Sequence, residues 1–269
     1  MLPSLKRALC ALIPALLFCA VTAAPARADA IAVFGNNGIL PFLNTIPGTT
    51  ATLVSDADIL APGFTSTYQA FVYTRNGAGF GTPGLSAAAA GVIGSYVGPT
   101  GNVVLFNGDF ADVIASQAAV QQLFRNAATF ATSSGHGFIG EFNGAAAALT
   151  SNANGIVPLG LVSGSAGALT NGAAAGDLTL DPAGVGHPVT AGVLFPVADP
   201  SNIEFGAAVN ITDPNQVLAR YNAGNPAIIA RAGSPAATPE PGSLALCGSS
   251  FVLLSRLRRR RRPGPANGI

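Results

Sequence analysis

Between Ile31 and Ala237 the only side chains that titrate near neutral pH are His136 and His187, and the span holds no cysteine. A thiolate nucleophile, a thiolate metal site and an internal disulfide are therefore excluded from it. Two histidines cannot build a histidine-rich metal centre, and any histidine–carboxylate pair must use one of them. His187, within Gly186-His187-Pro188, is the better candidate of the two for a base, although a loop imidazole there more often caps a turn. A serine nucleophile requires Gly-x-Ser-x-Gly. The nearest approach is Ser163-Gly164-Ser165-Ala166-Gly167, which has serine in place of the first glycine. Asp56 with Asp58, Asp109 with Asp112, and Asp177 with Asp181 are paired carboxylates, but none has the loop spacing of a calcium hand. Asp112 fits a helix N-cap as well as it fits a ligand. No metal and no other cofactor are expected.

These residues need a scaffold, and the chain alternates short apolar runs with helix-compatible segments. Strands are predicted at Ile31–Phe34, Ala51–Val54, Ala70–Thr74, Asn102–Phe106 and Gly137–Ile139, with further strands near 157–162, 192–197 and 228–230. Helices are predicted at Ile39–Leu43, Ala87–Val97, Val113–Thr132 with Asp112 as its cap, and Ala145–Thr150. Strands that are apolar throughout, set between helices, imply a mostly parallel α/β sheet covered on both faces, as in flavodoxin-like folds. In such sheets ligands bind beyond the carboxyl ends of the strands. Asn107-Gly108-Asp109 follows the strongest predicted strand, so Asn107, Asp109, Glu141, Asn143 and His187 are expected around one polar cleft.

The segment Phe138-Ile139-Gly140-Glu141-Phe142-Asn143-Gly144-Ala145 reads as strand, sharp turn and helix. It resembles the nucleophile elbow of class I glutamine amidotransferase-like domains, where a Gly-x-Cys-x-Gly turn exposes a thiol. Gly186-His187-Pro188-Val189-Thr190-Ala191-Gly192 is similar to the His-Pro segment of the trehalose-utilisation branch of that superfamily. The resemblance implies an amidotransferase-like topology over roughly 31–230, but Phe142 stands where the nucleophile belongs. A phenyl ring cannot form an acyl intermediate, so the family's reaction is not expected here.

Charge divides the chain into three. Between Ile31 and Ala237 four arginines face ten carboxylates, a formal charge of −6 and an unfavourable surface for a nucleic acid partner. The basic residues that bring the total to +1 lie at the two ends. At the start, Lys6 and Arg7 precede an apolar stretch, Ala8–Ala24, and then Ala28-Asp29-Ala30, the three parts of a signal removed by signal peptidase. Ala28 and Ala30 are its small residues, and Ile31 is the expected first mature residue. At the other end Pro239-Glu240-Pro241 leads into an apolar helix over 243–255, followed by Arg258, Arg259, Arg260, Arg261 and Arg262. That run is short of the roughly 20 residues of a standard membrane span, but arginines on its cytoplasmic side would hold it in the membrane.

Pro-Glu-Pro, apolar helix and terminal arginines, in that order, resemble the PEP-CTERM sorting signal. The resemblance implies processing by an exosortase in the inner membrane of a Gram-negative bacterium that makes exopolysaccharide. The organisation expected is a leader over 1–30, an exported α/β domain over 31–233 and a sorting tail over 234–269. The product is expected to cross the inner membrane, to be anchored there transiently, and to reach the cell surface or biofilm matrix. Three readings of the domain stay open: a non-catalytic module binding exopolysaccharide, a hydrolase using His187 and a cleft carboxylate, or a structural matrix protein. Four tyrosines and no tryptophan offer few rings on which sugars could stack.

Overall fold

The computed structural model describes residues 29–35, 38–74, 84–170, 172–200, 206–222 and 224–234. Along the chain run β1 (Asp29–Phe34), α1 (Ile39–Leu43), β2 (Thr49–Leu53), α2 (Asp56–Leu60), α3 (Phe64–Thr67), β3 (Ala70–Tyr73) and α4 (Ala87–Val97). Then come β4 (Val103–Phe106), a 3-10 turn (Phe110–Val113), α5 (Ala118–Thr132), β5 (Gly137–Glu141) and α6 (Asn143–Ala148). The remainder is mostly extended: β6 (Leu149–Asn152), β7 (Val162–Thr170), β8 (Leu178–Leu180), β9 (Gly206–Ile211), β10 (Val217–Tyr221) and β11 (Pro226–Arg231).

Eight strands form one sheet in the order β2-β1-β3-β5-β4-β11-β10-β8. The first five are mutually parallel, and β11, β10 and β8 continue the sheet antiparallel. Successive side chains of the central strands enter two different cores, which is why these strands are apolar without alternation. Ile31, Val33, Val72, Val104, Phe106 and Ile139 pack with α1 and α5 on one face. Ala32, Phe34, Phe71, Tyr73, Leu105 and Phe138 pack with α2, α3, α4 and α6 on the other. The expectation of a mostly parallel sheet with helices on both faces therefore holds for these five strands. Because β11 runs against β4, pairing Arg231 with Val103, the last described strand ends at the edge where β1 begins.

Several expectations need correction. A second sheet, β6-β7-β9, lies over the second core through Leu149, Val162, Ala166 and Ala207. The strand expected at 157–162 begins only at Val162, and of 192–197 only Val197 makes a bridge, to Leu178. The long helix from Val113 is broken: Asp112 sits inside the 3-10 turn, and α5 starts after Gln117, which makes no side-chain cap. Asp56 and Asp58 are helix-start residues of α2, not a cation pair. Ser55 and Asp58 form a reciprocal capping box, and Asp56 accepts from the Ser86 amide at the start of α4. Asp181 pairs with Arg220 at 2.8 Å, and Asp177 accepts from the Asp199 amide. Residues 1–28 of the expected leader, the cleavage residue Ala28 among them, Pro239-Glu240-Pro241, the apolar run over 243–255 and Arg258 to Arg262 lie outside the described residues, whereas Asp29 and Ala30, assigned to the leader, belong to β1. Among the described residues no helix is long and apolar enough to cross a membrane.

Candidate functional site

β5 passes into α6 through a single residue. Phe142 has φ 50° and ψ −111°, a conformation that glycine adopts readily and a side chain does not. The glycines on either side are what permit the turn. A Cβ at Gly140 would lie 2.6 Å from the Gly144 carbonyl oxygen. One at Gly144 would lie 1.9 Å from the Tyr73 carbonyl oxygen on β3, well inside contact distance. The pattern Gly-x-Phe-x-Gly is thus dictated by close backbone approach. The turn points its apical side chain inward: Phe142 is 2 % exposed, and its amide donates to the Phe106 carbonyl at 3.1 Å.

The polar residues expected around a cleft divide into two groups. Asn107, Asp109, Glu141 and Asn143 do gather at the carboxyl ends of β4 and β5, and all four are buried. Asn107 is not available to a ligand. Its amide nitrogen donates to the carbonyls of Ala207 and Pro226, both at 2.9 Å, and its side-chain oxygen accepts from the Ala207 amide at 3.0 Å. It staples β4 to β9 and β11. The Glu141 carboxylate accepts from the Ala111 amide at 3.2 Å, which fixes the 3-10 turn that follows Asp109. Asn143 keeps its side-chain oxygen buried and without a hydrogen-bond partner among the described residues. So does the hydroxyl of Thr74, 0 % exposed at the carboxyl end of β3. Thr74 carries no sequence signal of its own; only the pairing of β3 with β5 brings it beside this group.

His187 belongs elsewhere, and the predicted cleft does not include it. Its Nδ1 accepts from the Val189 amide at 3.2 Å, capping the 3-10 turn Pro188–Thr190. That turn is tied to α5 by Asn126, which donates to the carbonyls of Val189 and Ala191. The imidazole packs edge-on against Phe130, 5.2 Å between centroids, in the last turn of α5. Glu141 instead lies level with Phe106, where the chain sets out toward the beginning of that helix. The hydrolytic pair His187–Glu141 is therefore not formed.

Burial holds the His187 imidazole below its ordinary pKa. The unfolded chain takes up the proton first, so the contribution of the neutral ring is complete above about pH 6.5 and is lost as pH falls through that value toward the lower folded pKa. We expect His187→Asn, which keeps a capping acceptor but cannot titrate, to flatten the fall in Tm between about pH 7.5 and about pH 5.5. Equal slopes in the two proteins would refute the assignment.

The other candidates are structural. Ser165 lies within β7, paired with Asn210, in extended backbone with no elbow. His136 stacks edge-on against Tyr96 at 5.6 Å in an open groove of about 750 Å³ on the outer side of α4; it precedes β5, at the edge opposite the carboxyl ends of the strands. Arg125 lies over the Phe42 ring at 5.4 Å, and Arg231 donates to the carbonyls of Gly98 and Gly101. Among the described residues no three His, Cys, Asp or Glu side chains cluster to hold a metal ion. The strand-end site thus offers buried carboxylate, hydroxyl and amide groups, with a buried phenyl ring at the apex of the turn between β5 and α6. No protein-family model, no curated protein and no solved structure matches this chain.

Proposed function

We propose that this chain is an exported protein of the cell surface or biofilm matrix, sorted through its Pro239-Glu240-Pro241 tail by an exosortase. In this reading its domain is a non-catalytic, amidotransferase-like module that binds or supports matrix components. The observation that carries the second half is Phe142. The turn has a strained backbone and two close-packed glycines, as the resemblance to a nucleophile elbow leads one to expect, while its apical side chain is a buried ring. Strain of this kind persists only where the surroundings enforce it. Here it serves packing, and no atom is placed to attack a carbonyl. The separation of His187 from Glu141 weighs against the hydrolytic alternative.

The first half rests on the order of the terminal segments and is tested separately. Full-length chain expressed in a Gram-negative host that has an exosortase should be recovered outside the inner membrane without its tail. Replacing Arg258 through Arg262 by glutamine should abolish the membrane-held intermediate. Recovery of the intact chain in the cytosol would overturn the export reading. For the domain, purified mature protein should hydrolyse no amide, ester or glycoside probe, and Glu141→Gln and His187→Asn should leave that background unchanged. Turnover that disappears in Glu141→Gln would overturn the non-catalytic reading.

A further inference from the structure

The fold uses two residues that the expected leader would discard. Asp29 and Ala30 form the first two positions of β1, in register with Thr49 and Thr50 of β2. The Asp29 amide donates to the Gly48 carbonyl at 2.8 Å, and its carboxylate accepts from the Thr132 hydroxyl at 3.0 Å at the end of α5. The Ala30 amide donates to the Gln69 side chain, and its carbonyl accepts from the Gln69 amide at 2.8 Å. A cut between Ala30 and Ile31 would remove all four contacts. It would also leave Thr49 and Thr50 without the residues they pair with, and Gln69 would lose both its bonds to Ala30, keeping only the one its carbonyl accepts from the Gly137 amide. Buried or half-buried groups that lose their partners in this way are expensive to leave unmade.

The sequence offers the peptidase a second choice that avoids this loss. Signal peptidase requires small residues one and three positions before the cut, and Ala26-Arg27-Ala28 meets that requirement as well as Ala28-Asp29-Ala30 does. Resting on the export reading above, we propose that the leader is removed between Ala28 and Asp29, so that the mature protein begins with Asp29. The hydrolysed bond is the Ala28–Asp29 peptide: water supplies the oxygen of the new Ala28 carboxylate and a proton of the new Asp29 amine. That amine can still donate to the Gly48 carbonyl, so the first rung of β1 survives processing.

The test is amino-terminal sequencing and intact mass of the full chain exported in a Gram-negative host, alongside Ala28→Val and Ala30→Val. A β-branched residue immediately before the cut blocks the peptidase, and valine is compatible with strand β1. The expected result is an Asp29 terminus in the wild-type and in Ala30→Val, with uncut precursor accumulating in Ala28→Val. An Ile31 terminus in the wild-type, or precursor accumulating in Ala30→Val, would overturn the assignment and leave export standing. A Met1 terminus on chain confined to the cytosol would instead overturn the export reading itself.

Discussion

Gly144→Ala is expected to destabilise the protein by about 3 kcal/mol, a large share of the whole stability of a folded domain. The added methyl would stand 1.9 Å from the Tyr73 carbonyl oxygen and 2.6 Å from the carbonyl carbon, both backbone atoms of a central strand. No side-chain rotation relieves such a clash. Either α6 must lift from the sheet or β3 must bend, and both would disturb a core whose members are almost fully buried. Gly91→Ala is the control. Gly91 sits mid-way along α4 with open space where the methyl would stand, so the same change there removes backbone entropy from the unfolded chain. It should stabilise by about 1 kcal/mol. Denaturant titration of the two variants measures both signs, and a loss below about 1 kcal/mol in Gly144→Ala would mean that the elbow is not pressed against β3.

The second large effect concerns the apex of the same turn. Phe142→Ala removes a ring that is 2 % exposed and keeps a backbone that alanine also resists, so a loss of about 4 kcal/mol is expected. Phe142→Gly removes the same ring but is free to adopt φ 50° and ψ −111°. It should be the less damaging of the two by about 1 kcal/mol, the reverse of the usual order of alanine and glycine. If glycine proves worse than alanine, the turn is not strained.

The parts of this fold that were legible in the sequence are those whose local chemistry and tertiary role agree. β1, β3, β4 and β5 read as strands because consecutive apolar side chains feed two cores, and α4 ends where Gly98 stops it. The sharp turn between β5 and α6 showed through its paired glycines. β7, by contrast, spells Val-Ser-Gly-Ser-Ala-Gly-Ala-Leu-Thr, with few branched or aromatic residues to mark it, and becomes a strand through its neighbours β6 and β9. The site was half legible for a related reason. Being placed after a strand brought Asn107 to the correct edge of the sheet. Its role is set by Ala207 and Pro226, 100 and 119 residues further along, and no local pattern announces them. His187 was misplaced because a proline turn gives no sign of which end of a helix it will dock against. That was settled by Asn126 and Phe130.

The reversal between β4 and β11 gives the molecule two unlike poles. Asp29 and Arg231 both lie at the pole where the parallel strands start, whereas Phe142, Asn143 and Thr74 lie at the pole where they finish. The chain therefore enters and leaves the described sheet at one pole, and the strand-end face lies at the other.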